Sequence, residues 1–74
     1  MQDQLKLLDV VALLEDIPEQ KLRKGEVGTV VEEFGNDTVE VEFSDQEGVA
    51  YAFADLTTNK LLLLHTVETA EEIA

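Results

Sequence analysis

The side chains able to do covalent chemistry are few in kind. The chain holds one Ser (Ser44), one His (His65) and no Cys. A nucleophile, a base and an orienting carboxylate must converge for triad chemistry. Ser44 falls in the turn-like stretch "SDQEG", where a turn-forming Ser is the ordinary explanation, and His65 ends a run of leucines. Without Cys, thiolate catalysis, disulfides and Cys-based zinc sites are excluded. Carboxylates are plentiful, at 17 Asp and Glu. General acid/base work needs a buried pair with separated pKa values, and nothing in the pattern makes such a pocket. Glu32, Glu40 and Glu42 could offer oxygen ligands to a divalent cation, but a solvated strand face explains them better. Gly25 and Gly28 are too few for a phosphate loop, and a strand rather than a helix follows them. The chain is therefore expected not to be an enzyme and to carry no cofactor or metal.

The charge is the strongest compositional signal. Five Lys and Arg leave a formal net charge of −12. Such a surface repels phosphate backbones and anionic membranes and attracts basic partners, although solubility alone is a sufficient reason for it. The longest apolar run, Leu61 to Leu64, is far below the roughly 20 residues of a membrane span. No basic stretch followed by an apolar run marks a secretory signal at the N-terminus. A soluble cytoplasmic protein is expected. At 74 residues it is one domain with a thin core, burying roughly 60% of its unfolded surface.

Elements to position these residues are short and extended. "LLDVVALLED" predicts a strand over Leu8 to Leu13, with a one-turn helix as competitor. Met1 to Leu5 reads as a polar, frayed start. "EDIPEQKLRK", Glu15 to Lys24, is a polar loop in which Ile17 and Leu22 tuck back as plugs and Lys21, Arg23 and Lys24 form a local basic spot. "GEVGTVVEEF" is a second strand, where Gly28 implies a bulge or a close backbone contact. "FGNDT" is a tight turn. In the next strand Thr38, Glu40 and Glu42 alternate with Val39, Val41 and Phe43, one face wet and one buried. After "SDQEG", the strand "VAYAFA" puts Val49, Tyr51 and Phe53 on one parity and alanines on the other, and Phe43 and Phe53 read as core. "ADLTTNK" suits one helical turn capped by Asp55. "LLLLH" closes the fold against the first strand. Residues 1–66 form the domain, and 67–74 are an acidic tail or short helix with Val67, Ala70 and Ile73 in a faint stripe.

The sum is an all-β, five-stranded SH3-like barrel with a one-turn helix before the last strand. An OB-type barrel is the alternative, though it wants longer strands and an extra helix. "LRKGEVGTVVE" resembles the Lys-Gly-x-x-Gly-x-Val hairpin of ribosomal and transcription-factor barrels. Arg23 and Lys24 match their basic lead-in, while Glu26, Glu32 and Glu33 depart from it. A wider resemblance runs through Asp9, Val10, Val11, Ala12, Leu13, Pro18, Leu22, Gly25, Gly28, Thr29, Val30 and Val31, and on to Glu40, Val41, Glu42, Phe43, Asp45 and Gly48. On these residues the chain resembles a bacterial, largely cyanobacterial, family of short proteins catalogued as a domain of unknown function. The resemblance implies a small SH3-like barrel. The fold also resembles, distantly, barrel subunits attached to photosynthetic electron-transfer complexes.

Two functions follow as expectations. In the first, Glu32, Glu40, Glu42, Asp45 and Glu47 form an acidic face that docks a basic protein, as an antidote to a basic toxin or as an accessory subunit. In the second, the Lys21, Arg23 and Lys24 loop touches RNA or the ribosome, although two or three cations give little affinity. Self-association is also open, because the alanine and leucine strands leave apolar surface to cover.

Overall fold

In the computed structural model, which describes residues 5–65, five strands form a single antiparallel sheet. They are β1 (Val10–Leu13), β2 (Val27–Gly35), β3 (Thr38–Ser44), β4 (Ala50–Thr57) and β5 (Leu61–Leu64). Their order in the sheet is β4-β3-β2-β1-β5. The two ends of that order are joined only by a 3₁₀ turn, Thr58–Lys60. In a flat sheet, four strand spacings would hold β4 and β5 about 19 Å apart. The four chain steps from Thr57 to Leu61 reach about 14 Å at most. The sheet must therefore curl round its own core, which gives the SH3-like barrel that the strand pattern predicts.

The interior follows the alternation read from β3. Val39, Val41 and Phe43 are buried together with Val11, Leu13, Val30 and Leu61. Ile17 and Leu22 do plug one end. They are buried, and their backbones exchange hydrogen bonds across the 3₁₀ turn Pro18–Gln20. Gly28 meets the close approach its position implies. A Cβ there would lie 2.5 Å from Val41 Cγ1 and 2.8 Å from the Glu42 carbonyl oxygen. The irregularities of β2 fall further along: the pairing with β3 shifts by one residue at Val31 and again at Phe34.

Four expectations are corrected. Phe53 is not core but 54% exposed. Phe43 stands opposite Ala52 and fills the interior there, so β4 turns Ala52, Ala54 and Leu56 inward and Phe53 outward. Asp55 caps no helix, because β4 continues through Thr57 and carries Asp55 within it. The 3₁₀ turn is held instead by the Thr57 hydroxyl donating to Asn59 Oδ1 at 2.6 Å and the Thr58 N–H donating to the Asp37 carbonyl at 2.9 Å. The first strand begins at Val10, not Leu8, because a turn precedes it. Asp9 Oδ2 accepts the Lys6 N–H at 2.8 Å, and Leu8 sits at φ 72°. Leu5 is not frayed but a core residue, 2% exposed. The tail over 67–74 lies outside the described residues.

Candidate interaction surfaces

The outer face of β2, β3 and β4 gathers the acidic residues. Because Val39, Val41 and Phe43 point inward, Glu40 and Glu42 must point out. Register then decides their neighbours. Glu40 pairs with Glu32 on β2 and with Asp55 on β4, so three carboxylates stand abreast across three strands. Directly opposed like charges destabilise a sheet by a few tenths of a kcal/mol or more, about 0.2–1. One row along, Glu42 lies between Thr29 and Phe53.

Of the five acidic residues predicted for this face, Glu32, Glu40 and Glu42 are brought together on it. Asp45 and Glu47 sit in the β3–β4 hairpin beyond its end. Asp45 is occupied locally: its Oδ1 accepts the N–H groups of Glu47 and Val49 at 2.9 and 3.0 Å, which shapes the turn. Among the described residues no cluster of His, Asp or Glu is arranged to hold a metal ion. Ser44 ends β3 and His65 follows β5, with β2 and β1 between those strands in the sheet order.

Sequence reasoning missed two members of this surface, Asp55 and Phe53, and the placement of Tyr51 at its end. Asp55 looked like a cap because it precedes "LTTN". Alternation alone could have found it, since Phe53 and Asp55 share one parity. Tyr51 occupies a bulge, being the extra residue where Phe43 pairs with Ala52 and Ser44 with Ala50. Bulges re-aim side chains. Here the ring packs 6.5 Å from the Phe43 centroid, and the hydroxyl donates to Glu26 Oε1 at 2.6 Å. That hydrogen bond to a carboxylate, then desolvation and the negative charges of Glu26 and Asp45, raise the Tyr51 phenol above its ordinary value of 10.0. Each of these disfavours the phenolate.

The predicted basic spot lies on the β1–β2 loop. Its backbone is braced by carboxylates: Asp16 Oδ1 accepts the Lys24 N–H at 2.8 Å, and Glu26 Oε2 accepts the Arg23 N–H at 2.7 Å. Lys21 takes the left-handed conformation that ends the 3₁₀ turn. An open hollow lies among Asp16, Pro18, Lys21, Leu22 and Arg23. The ion pair found among the described residues is elsewhere, Lys60 to Glu15 at 3.3 Å, so no carboxylate neutralises the three loop cations at salt-bridge distance within that set.

A small antiparallel barrel with an acidic strand face and a braced basic loop is the class that this geometry defines. Residues 7–63 match the family described as "Domain of unknown function (DUF4926)", and the chain belongs to that family. No curated protein and no solved structure matches it. No helix among the described residues is long and apolar enough to cross a membrane.

Proposed function

We propose that the protein is a non-catalytic interaction module that docks the basic surface of another protein on the outer face of β2, β3 and β4, within the cytoplasm. The observation that carries this reading is the row Glu32–Glu40–Asp55 beside the outward Phe53. The row holds like charges abreast at a cost to the isolated fold, and a cationic partner relieves that cost. Exposed aromatics beside complementary charge are the composition of interface hot spots. A partner of this kind is a basic toxin or nuclease held by an acidic antidote, or a larger complex to which this chain is an accessory. The reading is tested by a tagged pull-down from native lysate, washed in parallel at low and high salt, with mass spectrometry of the retained proteins. A stoichiometric basic protein released by salt supports it. An empty bead at low salt overturns it.

A second reading, contact with RNA or the ribosome, has one observation in its favour. Asp16 and Glu26 spend hydrogen bonds on the loop backbone and leave the side chains of Lys21, Arg23 and Lys24 to solvent. Three phosphate contacts give a shallow salt dependence and weak affinity. Loss of RNA binding in an Arg23→Glu, Lys24→Glu double variant is the result this reading requires.

A further inference from the structure

β4 is the longest strand at an end of the sheet order, with eight residues against four in β5. It pairs with β3 on one side, and no described strand pairs with its other side. An unpaired strand edge offers its N–H and C=O groups to an added strand, and proteins commonly blunt such edges with Pro, Lys or inward charges. β4 has no Pro and no Lys; the sequence is Ala-Tyr-Ala-Phe-Ala-Asp-Leu-Thr. Instead, Phe53 stands open on the outer face at 54% exposure, and Tyr51 and Val49, 52% and 60% exposed, continue the apolar surface round the end of the strand beyond the bulge. The next outward residue is Asp55, paired with Glu40, which stands between it and Glu32. Tyr51 is held in place by its bond to Glu26, so the bulged end of the strand is ordered before anything binds.

We propose that the β4 edge receives an extended segment of a basic partner as a sixth, antiparallel strand. Apolar side chains of that segment would lie beside Phe53 and the bulged end of the strand at Tyr51, and its Lys or Arg residues beside Asp55, with Glu40 one strand further in. The proposal rests on the docking reading above and specifies how the partner is held. Main-chain hydrogen bonds supply affinity, and alternate side chains read the apolar-then-acidic stripe. The charge pattern favours a cationic segment over a second copy as the occupant. Two chains of −12 pairing through β4 would bring further carboxylates to a face that already opposes three.

The test uses the full chain, ¹⁵N-labelled, and three synthetic peptides. The first is acetyl-Lys-Thr-Lys-Thr-Val-Thr-Leu-Thr-Val-amide. The second has the same sequence with alternate backbone amides N-methylated. The third has Glu in place of Lys. The first peptide is expected to bind at low salt, shift the β4 amides and slow their hydrogen exchange. The N-methylated and Glu peptides should each bind about tenfold more weakly or worse. Phe53→Ser, an exposed substitution, should weaken the first peptide about tenfold while leaving the thermal midpoint close to wild type. Equal binding by the N-methylated peptide would overturn strand addition and leave charge docking standing. Equal binding by the Glu peptide would overturn the charge match. No binding by either Lys peptide, or by poly-lysine, would overturn both the strand addition and the docking reading.

Discussion

The acidic face and the basic loop use carboxylates in opposite ways. On the loop, Asp16 and Glu26 turn inward to backbone N–H groups, so negative charge builds the structure and positive charge is left outside. On the β2–β3–β4 face, no backbone N–H among the described residues donates to Glu32, Glu40, Glu42 or Asp55. Those carboxylates are placed by strand alternation and held abreast by register. The difference teaches that a charge count does not locate a surface. Asp45 belongs by sequence with Glu40 and Glu42, but by contact it resembles Asp16, a residue that shapes the chain.

Experiments can break this contrast in descending order of effect. The largest is Gly28→Ala. The new methyl collides with Val41 and with the Glu42 carbonyl, and forces β2 away from the strand that carries Glu40 and Glu42. Overpacking of this kind costs about 3 kcal/mol, which lowers the melting midpoint by about 15 °C in a domain of this size. A midpoint within a few degrees of wild type, read by circular dichroism, would show that the acidic row does not depend on that close contact.

Asp45→Ala comes next. It removes an acceptor from two N–H groups and should cost about 1 kcal/mol in urea unfolding. Glu47→Ala, its neighbour in the same turn, should change stability by less than about 0.5 kcal/mol. Equal effects would remove the distinction between carboxylates that build and carboxylates that face outward.

The opposite sign is expected for Glu40→Gln. Neutralising the middle of the Glu32–Glu40–Asp55 row should raise stability by about 0.5 kcal/mol, and added salt should narrow the gain by screening the wild-type repulsion. A loss of stability would mean that Glu40 already has a favourable partner.

The smallest effect is at Tyr51, the one tyrosine of the chain, so phenolate absorbance reports it alone. Its folded-state pKa is raised above 10.0. The stability linked to this group is therefore fully present below the unfolded value of 10.0 and is lost as pH rises through the folded value. Glu26→Ala should bring the titration midpoint back toward 10.0, because the hydrogen bond and the nearest charge both disappear. An unchanged midpoint would mean that Tyr51 is not held by Glu26, and it would remove the pre-ordered ring from the β4 surface.

Much of the fold was legible because β3 alternates without exception: Val39, Val41 and Phe43 inward, Thr38, Glu40 and Glu42 outward. Ile17 and Leu22 were legible as plugs because they are isolated apolar residues in a polar loop. Asp55 and Phe53 were not, for two physical reasons. "VAYAFA" offers two apolar parities, so alternation cannot choose which faces in. Asp before "LTTN" satisfies a helix cap as well as it satisfies a strand. Leu5 was missed because a single leucine in "MQDQLK" has no periodic neighbours to mark it as core.

The sequence by itself determined the negative charge, the absence of thiol chemistry, the five strands and the outward course of Glu40 and Glu42. These depend on residue type and on a period of two, which are local properties of the chain. Only the tertiary structure decided that Glu32, Glu40 and Asp55 stand in one row, that Tyr51 reaches Glu26, and that Phe53 faces solvent. Those facts depend on register, and register is set where Phe43 fills the space opposite Ala52 and where Gly28 admits β3 at close range. Such contacts join residues far apart in the chain, and no local pattern encodes them.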